Sequence, residues 1–377
     1  MRLFEITAQS FRNLSPEPVF FGAGVTLVTG ENAQGKTNLL EAVALLCGQR
    51  SFRRVKPGEI AAGGNAPEGN ADASGGDRFA VAGRLARGGE EESLRVTWSR
   101  AEGRAFARGE KSISFREVSR LAPAVFLSPE HRELLIGGPA LRRRFLDRLV
   151  LASRPAAGDD LVRYERALTE RNALLARGER VQPAAGELDA WTEELVRSGI
   201  AVRRHRRAAL AEWMTHFTPL ADAAGPEYAA IRVDYSYEGE TEEELRSQFE
   251  RLSPVERRRG HSMAGPHRDD LVFRRHGRPL AGQASAGELH RAVSLVKLAE
   301  WRAVEQATGE PPLLGVDEFD AGLSPAWTEA FLRSLPEAAT VLLTSAADPA
   351  RWRRFAGGVL EMRGGRVVDR PRAVNAG

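Results

Sequence analysis

The chain has 377 residues, of which 42% are hydrophobic and 28% are charged, and its formal net charge at pH 7 is +3. This composition is typical of a soluble globular protein with two domains, or with one large domain and an insertion. No segment reaches the roughly 18 consecutive apolar residues of a membrane-spanning helix, and the first residues lack a signal-peptide pattern. We therefore expect a cytoplasmic protein with no membrane partner.

The N-terminal third contains short apolar or alternating segments that are typical of strands. They predict strands at residues 3–8, 25–29, 81–87, 93–98 and 124–127. Residues 37–47 predict a mostly apolar helix that ends at Gly48, and residues 57–77, rich in Gly, Ala and Asn, predict a surface loop. Cys47, the one cysteine, lies in the apolar run. Because a disulfide needs two cysteines, none can form within the chain, and Cys47 is expected to be buried.

Helical patterns dominate residues 139–259, and strand patterns return at residues 271–273, 312–316 and 340–344. The last two segments are continuously apolar, as in the buried strands of a central sheet. The expected fold is therefore a mixed α/β domain made of residues 1–138 and 260–377. A helical second lobe at residues 139–259 is inserted into it.

The segment "GENAQGKT" matches the pattern G-x-x-x-x-G-K-T and lies between a predicted strand and a predicted helix, which is the context that a phosphate-binding loop requires. Lys36 would reach the terminal phosphates of ATP, and Thr37 would hold Mg²⁺. Only four of the 54 basic residues are lysines, and one of them stands at this position. The residues expected to bind ATP are Gly30, Glu31, Asn32, Ala33, Gln34, Gly35, Lys36, Thr37 and Asn38.

The segment "PPLLGVDEFD" supplies two acids at the end of a buried strand. In sheets of this kind, ligands bind at the carboxyl ends of the strands. We expect Asp317 to bind Mg²⁺ together with Thr37. Glu318 would orient and deprotonate the attacking water, so that Lys36, Asp317 and Glu318 form the catalytic set.

A helix start at "SAGE" precedes the acidic strand. Taken alone, Ser285, Ala286, Gly287 and Glu288 indicate a helix cap, although a helix N-terminus can also bind an anion. The order of phosphate loop, insertion, "SAGE" and acidic strand is that of ATP-binding-cassette heads. In those heads the signature of one molecule contacts the γ-phosphate held by another, so we expect an ATP-dependent homodimer.

Several segments resemble the RecF family of SMC-like ABC ATPases, which act in bacterial recombinational DNA repair. They are "LFEITAQSFRNL", "SFR", "SPEHRELLIGGPALRRRFLD", "GPHRDDL", "SAGE" and "LLGVDEF". The resemblance implies an ABC/SMC-like ATPase head with a weak, DNA-dependent ATPase that uses ATP and Mg²⁺. It also implies DNA as a partner, with RecO and RecR, in helping to load RecA at single-strand gaps. By the same resemblance, Ser285 contacts the γ-phosphate held by the partner molecule.

Three departures from the usual ABC motifs accompany this resemblance. Glu288 stands where cassette proteins usually carry Gln, which would bring a negative charge near phosphate unless it points away as a first-turn helix residue. Ser324 stands where an Asp is often found. Thr344 and Ser345 end the strand at which transporters carry a His, which argues against a transporter subunit.

Some basic residues have two interpretations. Arg53 is expected either to contact nucleotide or DNA, or to pair with an acid. The clusters 142–144, 203–207 and 257–259 are expected to contact phosphates or to form solvated helix faces. His267 and Arg268 are expected to form a structural turn.

Three functions fit the sequence. The first is a RecF-like clamp that dimerises on DNA when ATP binds and is released by hydrolysis. The second is the ATPase subunit of a membrane transporter, and the third is another SMC-like structural or nuclease-coupled ATPase. The long gap between the phosphate loop and the acidic strand disfavours the second, and the absence of heptad arms disfavours the third.

Overall fold

A computed structural model describes residues 1–53, 55–61, 76–177, 186–320, 325–333, 335, 339–345 and 349–369. The chain forms two compact units, Met1–His131 with Val304–Gly377, and Arg132–Ala303. The first boundary lies near the predicted one, but the second lies at residue 303 and not at 259. The difference arises because the strand at Asp270–Arg275 pairs with a strand inside the insertion, Ile231–Ser236. In addition, Trp213 of the insertion donates a hydrogen bond to the carbonyl oxygen of Val296, in the helix that carries "SAGE".

The described residues form strands and helices that largely follow the predicted pattern. The strands are β1 (Arg2–Gln9), β2 (Val19–Phe20), β3 (Val25–Thr29), β4 (Arg78–Arg87), β5 (Glu90–Ser99), β6 (Gly103–Arg108), β7 (Lys111–Ile113), β8 (Ala124–Leu127), β9 (Ile231–Ser236), β10 (Asp270–Arg275), β11 (Arg278–Pro279), β12 (Leu313–Val316), β13 (Val341–Thr344), β14 (Gly358–Arg363) and β15 (Arg366–Asp369). The helices are α1 (Lys36–Leu46), α2 (Phe115–Leu121), α3 (Glu133–Ile136), α4 (Pro139–Ser153), α5 (Gly158–Ala176), α6 (Glu187–Ala224), α7 (Pro226–Ala229), α8 (Glu242–Arg259), α9 (Ala286–Thr308) and α10 (Pro325–Arg333).

The first unit contains two six-stranded sheets. In the central sheet the order is β15-β14-β3-β13-β12-β8, with all neighbours parallel except the β14–β15 pair. The other sheet, in the order β2-β1-β4-β5-β6-β7, is antiparallel. Because β3, β13 and β12 are parallel neighbours, the residues that follow them meet at one edge of the central sheet.

Helix α1 packs against both sheets at glycines. A Cβ on Gly315 of β12 would lie 2.9 Å from Leu40 Cδ1, and one on Gly83 of β4 would lie 2.5 Å from Leu46 Cδ2. Cys47 at the end of α1 is buried, as expected, and burial raises the pKa of its thiol to about 12. The phosphate loop is therefore attached to a helix that is fixed on two sides.

The second unit combines the predicted helices with a small antiparallel sheet of the order β11-β10-β9. Residues 139–259, in which helical patterns dominate, also contain a strand that was not predicted, β9, whose sequence "IRVDYS" alternates apolar and polar residues and pairs with β10. That alternation was a usable signal in the sequence. No helix in the described parts of the chain combines the length and apolarity needed to cross a bilayer.

Three arginines of the basic clusters are buried and form ion pairs within the second unit. Arg142 is 8% exposed, and Arg203 and Arg206 are each 4% exposed. Arg142 pairs with Asp270 and Arg203 pairs with Asp269, while Arg206 pairs with Asp147 and, at 3.8 Å, with Asp269 as well. Both interpretations of these three residues, phosphate contact and solvated helix face, were wrong. Each carboxylate, in "GPHRDDL" or "RRRFLD", lies at least 59 residues from its arginine, so the local sequence pattern could not show the pairing.

Candidate nucleotide-binding site

The loop between β3 and α1 bends through residues in the left-handed region of backbone space. Gly30 has φ 134°, Ala33 has φ 64° and Gly35 has φ 107°. A Cβ on Gly30 would lie 2.4 Å from the carbonyl oxygen of Met362, so this position requires glycine. The bend brings the loop over the N-terminus of α1, where the first N–H groups lack acceptors within the helix and favour an anion.

Lys36 lies across this loop. Its Nζ donates hydrogen bonds to the carbonyl oxygens of Gly30, at 2.6 Å, and Glu31, at 2.7 Å, and the residue is 6% exposed. Burial lowers the pKa of Lys36, while Asp317 and other nearby acids raise it. The ammonium is thus held at the loop, where a phosphate could replace the two carbonyl groups.

The remaining loop residues divide into exposed and anchored ones. Glu31 and Asn32 are exposed. Gln34 accepts hydrogen bonds from the turn that follows β14, through its Oε1 from Gly364 N at 2.6 Å and through its carbonyl oxygen from Gly365 N at 2.9 Å. Gln34 therefore has a structural contact in addition to its predicted one.

Asn38 and Arg53 form a polar chain beside the loop. Arg53 Nη1 donates to Asn38 Oδ1 at 2.8 Å, and Asn38 Nδ2 donates to Asn13 Oδ1 at 2.7 Å. Asn13 Nδ2 in turn donates to the carbonyl oxygen of Ala33 at 3.3 Å. Arg53 is thus bonded to an amide next to the nucleotide loop, and its position fits the nucleotide-contact interpretation. Asn13, which links this chain to the loop, was not predicted.

The two acids follow β12 and differ in exposure. Asp317 is 3% exposed, and its Oδ1 accepts hydrogen bonds from Thr37 Oγ1 at 3.0 Å and Thr344 Oγ1 at 2.5 Å. Burial raises the pKa of Asp317, the threonine hydrogen bonds lower it, and the charges of Glu318 and Glu130 raise it. Glu318 is exposed, with φ 49°. The structure therefore brings together Lys36, Thr37 and Asp317, as the sequence predicted.

The donor set fits a magnesium ion. Thr37 Oγ1 and Asp317 Oδ1 are hard oxygen atoms 3.0 Å apart. Mg²⁺ is commonly held by one or two protein oxygens together with phosphate and water oxygens. The described residues contain no group of three or more His, Cys, Asp or Glu side chains that could hold a metal by themselves.

Replacing Asp317 with Asn is expected to stabilise the nucleotide-free protein at neutral pH. Asparagine keeps an oxygen that can accept both threonine hydroxyls but removes the buried charge. Because the pKa of Asp317 is raised in the folded state, the cost of its charge grows as pH rises from the unfolded-state pKa to the folded-state pKa, stays constant above that range and vanishes below the unfolded-state pKa. We expect the unfolding temperature of Asp317→Asn to exceed that of the unaltered protein by about 2 °C at neutral pH. Calorimetry across pH would test this, and a lower unfolding temperature for the variant would contradict it.

Ser285 and Glu288 form a reciprocal cap at the start of α9. Glu288 N donates to Ser285 Oγ at 3.2 Å, and Ser285 N donates to Glu288 Oε2 at 2.8 Å. Arg275 Nη1 also donates to Glu288 Oε1 at 2.7 Å, and these contacts lower the pKa of Glu288 to about 2. The negative charge of Glu288 is thus balanced by Arg275 and by the hydrogen bonds of the cap. Ser285 and Ala286 are exposed at this helix start, and Gly287 is half-buried.

Two further predictions have different outcomes. His267 and Arg268 lie in a short turn, as expected. His267 Nδ1 is 2.6 Å from the Tyr164 hydroxyl, and His267 Nε2 is 3.1 Å from the carbonyl oxygen of Ser262. Burial lowers the pKa of His267 to about 4, which is consistent with a structural role. Ser324 lies outside the described residues.

Comparison with known proteins identifies the family. Residues 5–129 match the family model described as AAA domain. The DNA replication and repair protein RecF of Syntrophotalea carbinolica is 33% identical over 343 residues, covering 89% of each chain. Two solved structures share the fold. The recombination mediator protein RecF-ATP in the RecFOR pathway matches with a TM-score of 0.86 at 24% identity, covering 98% of both chains. The Smc head domain derived from Pyrococcus furiosus, bound to the C-terminal domain of ScpA, matches with a TM-score of 0.53 at 14% identity, covering 97% of this chain and 94% of that one. The fold is thus that of an ABC/SMC-like ATPase head, and the chain belongs to the RecF family of DNA replication and repair proteins.

Proposed function

We propose that this protein binds ATP with Mg²⁺, dimerises on DNA in the ATP-bound state and hydrolyses ATP slowly to release the dimer. The observation that carries the proposal is the meeting of Lys36, Thr37 and Asp317 at the end of the central sheet, with Thr37 and Asp317 bonded at 3.0 Å. Glu318 directly follows Asp317 in the chain. This is the set of groups that phosphoryl transfer from a nucleoside triphosphate requires.

Each residue has a distinct part in the proposed reaction. Lys36 exchanges its two carbonyl partners for phosphate oxygens, and its charge offsets the charge that develops on the leaving group. Thr37 and Asp317 would hold Mg²⁺, which would offset the negative charge of the phosphates. Glu318 accepts a proton from the attacking water while the bond between the γ-phosphorus and the bridging oxygen breaks, which yields ADP and phosphate.

The dimer is proposed because the signature residues are exposed. Ser285 and Ala286 lie at a helix start that is capped by Ser285 and Glu288 of the same chain. This helix is therefore stabilised without any contact to a phosphate loop. Free N–H groups at such a helix start can bind the γ-phosphate held by a second copy. Hydrolysis would remove this bridge and open the dimer.

DNA, RecR, RecO and RecA are proposed partners on the strength of the family. The matching solved structure is of a recombination mediator protein in the RecFOR pathway. We propose that this chain likewise acts with RecO and RecR to help load RecA at single-strand gaps. Since Arg142, Arg203 and Arg206 are engaged in ion pairs, phosphate contacts from the basic clusters would come from their exposed members. These are Arg144, Arg204, Arg207, Arg257, Arg258 and Arg259.

The Ser285→Arg variant tests the dimer. A long cation at this helix start would block the approach of a second molecule, so the variant is expected to bind ATP but to remain monomeric. Light scattering with and without ATP and Mg²⁺ would measure the mass, and a labelled nucleotide would measure ATP binding. The unaltered protein is expected to double its mass with ATP.

Ser114→Arg is a matched control for loss of the helix cap. Ser114 caps α2 with the same reciprocal pattern, in which Glu117 takes the place of Glu288. Losing either cap is expected to cost about 1 kcal/mol. Ser114→Arg should therefore still dimerise. A Ser285→Arg protein that dimerises as the unaltered protein does would disprove the contact in trans.

A further inference from the structure

Thr344 connects the two acids of the site. It is the last residue of β13, the strand between β3 and β12, and it is 1% exposed. Its Oγ1 lies 2.5 Å from Asp317 Oδ1 and accepts a hydrogen bond from Glu318 N at 2.9 Å. A hydroxyl group has one proton to give, and the amide can only donate. The Thr344 hydroxyl therefore donates to Asp317 and accepts from Glu318, which fixes its direction.

Glu318 needs such support because of its backbone conformation. Its φ of 49° is in the left-handed region, which costs a residue with a side chain roughly 1 kcal/mol or more. The Thr344 hydroxyl bonds the amide of Glu318, and the Thr344 carbonyl oxygen accepts from Phe319 N at 3.1 Å. Two contacts from one residue thus hold the turn that directs Glu318 outward.

Asp317 is fixed by the same hydroxyl. Thr37 and Thr344 both donate to Asp317 Oδ1, one from the start of α1 and the other from the end of β13. The orientation of this carboxylate is thereby set by two elements on either side. A change at Thr344 would loosen the proposed metal ligand and the proposed base together.

We propose that Thr344 is a positioning residue for hydrolysis, which aligns Asp317 and Glu318 without contacting the nucleotide. The proposal rests on the ATPase function proposed above. It gives Thr344 a role at the strand end where transporters carry a His. The Thr344 hydroxyl is bonded to Asp317 and Glu318, whereas Lys36 is bonded to the loop carbonyl groups. The hydroxyl should therefore govern turnover and leave nucleotide affinity largely unchanged.

The test compares Thr344→Val, which keeps the shape and removes the hydroxyl, with Thr344→Ser, which retains it. We expect Thr344→Val to lower kcat by roughly 10- to 100-fold, with the Kd for ATP within about 2-fold of the unaltered protein. Thr344→Ser should retain kcat within about 3-fold. In the nucleotide-free protein, hydrogen exchange at the amide of Glu318 should be faster in Thr344→Val only, because that amide loses its acceptor.

Two other buried threonines provide controls for loss of a hydroxyl. Thr340 lies just before β13, at its opposite end, and donates to the carbonyl oxygen of Met1 at 3.0 Å. Thr26, in β3, has a buried hydroxyl with no hydrogen-bond partner among the residues that the structure describes. Thr340→Val and Thr26→Val should leave kcat and exchange at Glu318 unchanged. A similar loss of kcat in Thr340→Val would show a general effect of destabilisation and overturn the proposal.

The outcomes separate this inference from the function on which it rests. An unaltered protein that binds no ATP or does not hydrolyse it would overturn the proposed function. An active protein in which Thr344→Val retains kcat, or loses ATP affinity as much as kcat, would overturn only the role of Thr344. Unchanged exchange at Glu318 in Thr344→Val would overturn it as well.

Discussion

Glu318→Gln is expected to lower the rate of ATP hydrolysis by roughly 100-fold or more while ATP binding persists, because an amide cannot accept the proton of the attacking water. The side chain is exposed at the end of β12, and its backbone is held by Thr344, so the substitution should leave the surrounding contacts in place. With hydrolysis blocked, the ATP-bound dimer should accumulate.

Single-turnover hydrolysis and light scattering with ATP and Mg²⁺ would measure both effects. Glu310→Gln is a suitable control, since Glu310 precedes the same strand at its other end and lies near the amino group of Met1, at 3.6 Å. The control should hydrolyse ATP at the normal rate. Unchanged hydrolysis in Glu318→Gln would assign the base to another residue.

Lys36→Ala is expected to abolish ATP binding, and with it hydrolysis and dimerisation. The ammonium is the cation that the structure places on the phosphate loop, and alanine leaves the loop with backbone donors alone. The nucleotide-free variant should remain folded. It loses the two hydrogen bonds of Lys36, but it also loses a buried ammonium group whose charge burial disfavours, as the lowered pKa of Lys36 shows.

Thermal unfolding with and without ATP would test this prediction. A ligand present at 100 times its Kd stabilises a protein by about 2.7 kcal/mol, and Lys36→Ala should show no such gain. Lys111→Ala, at an exposed position in β7, should gain as much as the unaltered protein. Stabilisation of Lys36→Ala by ATP would show that the loop binds nucleotide without its lysine.

The buried ion pairs of the second unit show why the contacts of the basic clusters could not be predicted from the sequence. A run such as "RRR" looks the same whether its side chains face water or carboxylates. Arg142 and Asp270 are distant in the chain, yet their contacts at 2.7 and 2.9 Å place the arginine among structural residues. The charge of Glu288 in α9 is likewise balanced by a residue from another element, Arg275 of β10.

The sequence alone determined the phosphate loop, the strand that ends in two acids and the helix start at "SAGE", because each depends on residues a few positions apart. Glycine, lysine and threonine at fixed spacing between a strand and a helix have few alternative explanations. Only the tertiary structure decided which distant groups meet. It placed Thr344 between Asp317 and Glu318, buried three arginines against acids and assigned the start of α9 to the second unit. These outcomes depend on the order of strands in a sheet and on the pairing of charges across long chain separations, which local periodicity does not encode.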